Sequence, residues 1–144
     1  MADFQNKVAF ITGAAHGQGR AVALALAGEG ASIVAFDLAK PMAYPGYALG
    51  SESELDSLKR EVETLGSQCL TAQGDVRRDE DIVRAVDAAL ARFGRIDILF
   101  NNAGICAYGL AHELPEDEWD AMIDINLKWA WLAARRVIPV MIQQ

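Results

Sequence analysis

Four residues near the start of the chain have the types and spacing needed to hold a phosphate. Thr12, Gly13, Gly17 and Gly19 lie in the segment TGAAHGQG, directly after the apolar run VAFI and before an alanine-rich helical pattern. A buried strand, a glycine turn and a helix N-terminus bring backbone N–H groups to one point, and glycine lets a diphosphate approach the backbone closely. The spacing differs from G-x-G-x-x-G and there is no P-loop lysine, so a plain tight turn is the alternative.

An acidic residue ends the second predicted strand. Asp37 closes the apolar run ASIVAF and lies 18 residues after Gly19. A carboxylate about 20 residues beyond the glycine turn can accept hydrogen bonds from a ribose diol. The same carboxylate would repel a 2′-phosphate, so Asp37 favours NAD over NADP. A helix cap or a solvated turn is the alternative role for Asp37.

The remaining pattern alternates short apolar runs with amphipathic stretches, which predicts an α/β fold. Strands are predicted at 8–11, 31–36, 68–73 and 96–100. Helices are predicted at 17–29, from Ser51 or Ser53 to about 65, at 79–93 with Asp79 as its cap, and at 116–143. Right-handed crossovers between these strands give a Rossmann-like, doubly wound parallel sheet with helices on both faces.

The residues after the third and fourth strands complete the predicted site. Asp75 and Val76 follow the third strand, and the segment NNAG at 101–104 follows the fourth. Ligands of such sheets bind beyond the carboxyl ends of the strands. We therefore expect the glycine turn, Asp37, Asp75 and NNAG to lie along one edge of the sheet.

The segment 38–50, LAKPMAYPGYALG, is long for a connection between a strand and a helix. Its two prolines and two glycines exclude a regular helix. Because it directly follows the ribose-binding position, it would lie over the adenosine half of a dinucleotide. A lid over the cofactor and a surface insertion are both open interpretations.

Length, charge and cysteine usage narrow the classes of protein. The 144 residues suffice for one domain, and a net charge of −7 disfavours a nucleic-acid partner. No apolar run approaches 18 residues and no signal-peptide core is present, so we expect a cytoplasmic protein without a membrane segment. Cys69 and Cys106 belong to no metal or redox motif, and both are expected to be reduced core residues, with no metal site.

Together these motifs resemble the short-chain dehydrogenase/reductase family, and the resemblance covers essentially the whole chain. It is carried by TGAAHGQG at 12–19, Asp37, Asp75-Val76, NNAG and the Asn126 of DINLK. The resemblance implies that the glycine turn holds the NAD diphosphate, and that acids after the second and third strands hold the ribose and the adenine. The cofactor-binding residues are then expected to be Gly13, Ala15, His16, Gly17, Gln18, Gly19, Asp37, Leu38, Asp75, Val76, Asn102, Ala103 and Gly104.

The resemblance also implies a catalytic role for Asn126. In the family this asparagine belongs to an Asn–Ser–Tyr–Lys set and holds a water in a proton relay. Position alone makes Asn126 a solvent-facing or kink-stabilising asparagine. None of the three tyrosines is followed four residues later by lysine, so the serine, tyrosine and lysine are expected beyond Gln144. The 144 residues alone are expected to be inactive.

The sequence GQGR after His16 and the long segment 38–50 also resemble one subgroup, whose members are often linked to mycofactocin. Its members carry an insertion that shields NAD from exchange. The resemblance therefore implies that 38–50 is a cofactor-proximal loop within residues 1–144, the N-terminal NAD-binding part of a single Rossmann domain.

The predicted function is hydride transfer between NAD(H) and a secondary alcohol or ketone. The alternative is a catalytically inactive NAD-binding or interaction module, while a methyltransferase is disfavoured by NNAG and the glycine spacing. Four strands would leave a sheet edge and the apolar final helix exposed. We therefore expect either a truncated piece of a longer enzyme or a chain that completes itself with a partner. We also expect a homo-oligomer, a dimer or a tetramer, that associates through the helix at 116–143 with Trp129 and Trp131 as contacts.

Overall fold

A four-stranded parallel sheet lies at the centre of the computed structural model, which describes residues 3–44 and 46–144. Its strands run in the order β3-β2-β1-β4. They are β1 Val8–Thr12, β2 Ser32–Asp37, β3 Cys69–Gln73 and β4 Ile98–Phe100. Ile11 pairs with Ala35 on one side and with Phe100 on the other, all in parallel register. The predicted Rossmann-like parallel sheet is confirmed.

The part of the chain that the structure describes contains five α-helices. They are α1 Gly17–Gly28, α2 Glu52–Thr64, α3 Asp79–Phe93, α4 Glu116–Ile123 and α5 Trp129–Gln143. The final helix was predicted as one element, but a π-helical turn at Asp124–Lys128 separates α4 from α5. Such turns insert one residue into the helical repeat and are frequent at functional sites.

The two faces of the sheet bury two different apolar clusters. Ala9 and Ile11 pack with α1 and α2, whereas Phe10 packs with α3 and α5 on the opposite face. This separation follows from the alternation of side chains along a strand. The small buried residues Ala23 and Ala27 let α1 approach the sheet closely.

The residues at the starts of α2 and α3 settle one predicted helix start and correct a predicted helix cap. Ser51 caps α2 and forms a capping box with Glu54, so the first of the two predicted start residues is the right one. Asp79 is not the cap of α3, because Arg78 occupies that position. The Asp79 carboxylate instead pairs with Arg135 and Arg136 of α5 and joins the two helices.

Two further predictions about single residues are wrong. Cys69 is buried as expected, and burial raises the pKa of its thiol to about 11, but Cys106 is exposed and not part of the core. Trp129 was expected at an interface, yet it is 1% exposed and lies in the core, while Trp131 is exposed. No helix among the described residues is long and apolar enough to cross a membrane.

Candidate functional site

The glycine turn between β1 and α1 leaves an open concave surface. Gly13 and Gly17 have φ angles of 63° and 56°, in the left-handed region that favours glycine. A Cβ atom at Gly17 would meet nothing within 4 Å, whereas one at Gly19 would collide with the Gly13 carbonyl. Residue 16, the cap of α1, makes no side-chain capping bond, and the first turn of α1 has no acidic residue. The exposed start of α1 can therefore receive an anion.

A set of hydrogen bonds joins the glycine turn to the NNAG segment. Nδ2 of Asn102 donates to the carbonyl oxygens of Thr12 (2.9 Å) and Gly13 (3.2 Å). The Thr12 hydroxyl accepts from the backbone N–H groups of Asn102 and Ala103, each at 3.1 Å, and donates to the Phe100 carbonyl. These bonds hold the ends of β1 and β4 as one rigid unit.

Asp37 is buried at the end of β2, with 5% of its surface exposed. Its Oδ2 accepts from the backbone N–H of Ala15, and its Oδ1 accepts from that of Ala39, each at 2.9 Å. A Cβ at Gly50 would lie 3.0 Å from Oδ1, so only glycine fits where the loop passes over this carboxylate. Asp37 thus holds both the glycine turn and the start of the 38–50 loop.

The 38–50 loop contains no helix or strand among its described residues, and Pro45 lies outside them. At its tip, the Tyr44 hydroxyl donates to Oδ2 of Asp117 at 2.9 Å. The Tyr47 hydroxyl accepts from the backbone N–H of Cys106 at 3.0 Å. The hydrogen bond to Asp117 raises the pKa of Tyr44. The loop therefore bridges from β2 to the segment that follows NNAG and to the start of α4.

Asp75 lies just beyond β3, beside Arg77. Burial by itself would raise the pKa of Asp75, but the hydrogen bonds from the Arg77 side chain and backbone, together with the charge of Arg77, outweigh it and the pKa is lowered. Nε of Arg77 lies 2.9 Å from Oδ1 of Asp75. The carboxylate is therefore ionised at neutral pH and is paired with the Arg77 guanidinium. Val76, next to it, is buried.

Asn126 lies in the π-helical turn and holds the peptide after NNAG. Its Oδ1 accepts from the Ile105 N–H at 3.0 Å, and its Nδ2 donates to the Ile105 carbonyl at 2.9 Å. A Cβ at Gly104 would lie 2.8 Å from Oδ1 of Asn126. The residue is exposed, so its amide can contact solvent as well.

One pocket at the carboxyl edge of the sheet brings most of the predicted positions together. It is lined by the predicted residues Gly13, His16, Asp37, Leu38, Asp75, Val76, Ala103 and Gly104. The other predicted residues do not line it: Ala15, Gly17, Gln18, Gly19, Asn102 and Asn126. Of these, Ala15, Asn102 and Asn126 act as supports through the hydrogen bonds described above. Gly17 and Gln18 lie at the exposed start of α1, and Gly19 is buried against the Gly13 carbonyl.

The pocket also contains residues that the sequence analysis did not select. They are Met42, Leu49, Gly50, Ile105 and Ile125. Three of them, Met42, Leu49 and Gly50, belong to the 38–50 loop. The position of this loop directly after Asp37 could have indicated that its residues line the pocket. The two isoleucines carry no chemical signal of their own. Within residues 3–44 and 46–144, no group of three or more His, Cys, Asp or Glu side chains could hold a metal ion.

A parallel sheet with an open glycine turn after its first strand and a carboxylate at the end of its second strand defines a Rossmann-like dinucleotide-binding protein. A family model described as short chain dehydrogenase matches residues 7–144. The chain is 42% identical over 140 residues to a (-)-trans-carveol dehydrogenase of Rhodococcus erythropolis, covering 96% of this chain and 50% of that protein. The chain belongs to the short-chain dehydrogenase family.

Two solved structures show the same architecture. The crystal structure of carveol dehydrogenase from Mycobacterium avium in complex with NAD matches with a TM-score of 0.93 and 38% identity, covering 96% of this chain and 50% of that one. The structure of an NAD+-bound xylitol dehydrogenase matches with a TM-score of 0.86 and 31% identity, covering 99% and 50%. The chain thus spans about half the length of the relatives it matches.

Proposed function

We propose that this chain is the NAD-binding part of an oxidoreductase that transfers hydride between NAD(H) and a secondary alcohol or ketone. The observation that carries the proposal is the bond between the Ala15 N–H and Asp37, which sets the carboxylate directly beside the open glycine turn. The ribose and the diphosphate of one dinucleotide would then lie side by side at the carboxyl edge of the sheet. Residues 1–144 would form the N-terminal part of one Rossmann domain.

Two parts of the cofactor are assigned to neighbouring residues. The exposed residues 16–18 at the start of α1 would face the diphosphate, and Asp37 would bind the adenosine ribose. The Asp37 carboxylate makes the ribose position acidic, which disfavours the extra phosphate of NADP. Two relatives whose structures match are described as bound to NAD, which supports the same choice here.

The 38–50 loop is proposed to cover the adenosine. Met42 and Leu49 line the pocket and also pack against the apolar cluster beneath it. Contacts at the start of the loop, from Ala39 to Asp37, and at its tip, from Tyr44 to Asp117, support a closed position. A loop held in this way would slow the exchange of NAD.

Asn126 is proposed as the catalytic residue within this chain. Oδ1 of Asn126 accepts one hydrogen bond from the Ile105 peptide and has a second lone pair, so the exposed amide can still hold a water. NAD supplies the hydride acceptor when bound. The substrate class is supported by two relatives named for alcohols, carveol and xylitol.

Cofactor titration of the protein expressed from the full open reading frame tests the proposal. We expect NAD to bind more tightly than NADP, and Asp37→Asn to reduce the ratio of the two affinities about tenfold, because a buried carboxylate no longer repels the 2′-phosphate. Asp56→Asn, an exposed change on α2, is the matched control. Turnover is followed as NADH absorbance with a panel of secondary alcohols.

Two results would contradict the proposal. The first is a wild-type protein that binds neither NAD nor NADH in calorimetry. The second is an unchanged preference for NAD over NADP in Asp37→Asn. Binding without turnover of any alcohol or ketone would favour the inactive binding module.

A further inference from the structure

Arg20, on the second turn of α1, joins the glycine turn to α2. One nitrogen of its guanidinium, Nη1, donates to the carbonyl oxygens of Ala15 (3.3 Å) and Glu54 (2.9 Å). The other, Nη2, donates to the Ser57 hydroxyl (3.1 Å) and to Oε1 of Glu61 (2.6 Å). The side chain is 22% exposed, so this network lies mostly away from water.

Ala15 is held through both of its backbone groups. Its N–H donates to Oδ2 of Asp37 and its carbonyl accepts from Arg20. A shift of Ala15 would move the N–H that orients the Asp37 carboxylate and the exposed residues that follow at 16–18. Arg20 therefore holds the same residue as the proposed ribose ligand.

The α2 partners of Arg20 connect it to the other wall of the pocket. α2 begins directly after the 38–50 loop, and Gly50 lies so close to Ala15 that a Cβ there would be 2.7 Å from the Ala15 Cβ. The spacing between α1 and α2 thus sets how closely Gly50 covers Asp37. The planar guanidinium can reach acceptors from both elements at once, which a lysine ammonium cannot match.

We propose that Arg20 is a positioning residue for the adenosine half of the cofactor. Its hydrogen bonds hold the Ala15 carbonyl and the first turn of α2 in place. Arg20 thereby sets the geometry of the pocket around Asp37. It does not contact the ligand, because its guanidinium is directed at four protein acceptors. This inference rests on the proposed NAD-binding function.

The test measures the affinities for the two halves of the cofactor separately. In the protein from the full open reading frame, ADP-ribose and nicotinamide mononucleotide are each measured by competition against bound NADH. We expect Arg20→Met to weaken ADP-ribose about tenfold and to leave nicotinamide mononucleotide within about twofold, because only the adenosine pocket is altered. Arg20→Lys should recover part of the loss.

Two more variants control for folding and for charge. Arg60→Met removes an exposed cation from α2 and should leave the affinities for both fragments unchanged. Glu61→Gln removes the charged partner of Arg20 only, and should weaken ADP-ribose selectively even if Arg20→Met fails to fold. Thermal unfolding of each variant shows whether the fold is retained.

The outcomes are distinct from those of the proposed function. If the wild-type protein binds neither NADH nor ADP-ribose, the proposed function itself fails. If the wild-type protein binds them, equal losses for both fragments in Arg20→Met and Glu61→Gln, or no loss for either fragment, would overturn the role of Arg20.

Discussion

At the residue scale, Asp37 combines a structural and a proposed ligand-binding task. A carboxylate offers about four lone-pair sites, and the Ala15 and Ala39 N–H groups use two of them. In the proposed complex, the ribose diol would use the other two. Because the backbone bonds already fix the orientation of the carboxylate, a ligand need not order this side chain on binding. Ala39 adopts a φ of 51°, an uncommon angle for a non-glycine residue, and its N–H bond to Asp37 supports that conformation.

Gly17 gives a prediction in which steric blocking can be separated from backbone strain. We expect Gly17→Val to lower NAD affinity at least about 100-fold, because the side chain would project into the open space over the turn. Gly66→Val is the matched control: its φ of 84° is also left-handed and its Cβ would also meet nothing within 4 Å. Both variants carry similar strain, but Gly66 follows α2 and is not part of the glycine turn between β1 and α1.

Calorimetric titration of NAD into both variants checks this prediction. A Gly17→Val protein that binds NAD as tightly as the Gly66→Val protein would contradict a diphosphate at this turn. Thermal unfolding should show similar losses of stability in the two variants.

At the element scale, the 38–50 loop is held by side chains from distant parts of the chain. We expect Tyr44→Phe to speed NAD release by about threefold to tenfold, because it removes the hydrogen bond to Asp117 at the loop tip. Stopped-flow displacement of NADH fluorescence measures this rate. Asp117→Asn should have a similar effect, and combining the two changes should add little.

Asp120→Asn, an exposed change on the same helix, is the control for the tip contact. Equal release rates in wild type and Tyr44→Phe would exclude this contact as a determinant of exchange. Additive effects of Tyr44→Phe and Asp117→Asn would show that the two residues do not act through one bond.

The opposite end of the sheet supplies a pH-dependent contribution to stability. Hydrogen bonds from the Arg95 side chain lower the pKa of Asp97 to about 2. Burial acts in the opposite direction, and the hydrogen bond from the Val8 N–H lowers the pKa further. A pKa below that of the unfolded chain stabilises the fold above about pH 4, and this contribution is lost as the pH falls toward 2. Asp97→Asn should therefore lower the free energy of unfolding by about 1–2 kcal/mol at pH 7.

Urea unfolding at pH 7 and at pH 2.5 checks this expectation. The difference between wild type and Asp97→Asn should be much smaller at the lower pH, and Asp56→Asn should show no difference at either. An equal difference at both pH values would mean that Asp97 acts through packing and not through its charge.

Local signals predicted the elements well and the contacts between them poorly. The apolar runs located all four strands, and Ser51 was one of the two residues predicted to start α2. The bond between Tyr44 and Asp117 joins residues 73 positions apart, and no periodicity reports such a contact. In the same way, no local pattern indicated that the Arg20 side chain would form hydrogen bonds with α2.

The placement of Trp129 shows why helical pattern alone misassigned a contact. Trp129 and Trp131 are two residues apart on α5, so they point in very different directions from one helix. Both were expected at an interface. Trp129 instead packs in the apolar core, and Trp131 is therefore turned toward the surface. The π-helical turn before them shifts the phase, and the apolar pattern does not reveal that shift.

At the scale of the whole molecule, an exposed apolar stripe runs along the last two helices. We define the α4–α5 stripe as the residues Trp119, Ile123, Leu127, Trp131, Ile138 and Ile142, which are 38–78% exposed. Their spacing of four or seven residues places them along one side of the helical segment. Soluble proteins seldom leave such contiguous apolar surface uncovered. We propose that the stripe is where copies of the protein associate.

The oligomeric state of the protein from the full open reading frame tests this surface. Wild type should sediment as a dimer or tetramer, and Trp119→Glu combined with Trp131→Glu should weaken association at least about 30-fold, because buried tryptophans at interfaces contribute about 2 kcal/mol or more. Leu65→Glu is the matched control, since Leu65 is also 50% exposed but lies at the end of α2. A monomeric wild type, or equal masses for wild type and the double variant, would exclude the stripe as the interface. An equal loss of association in Leu65→Glu would show that added charge, and not the stripe, is responsible.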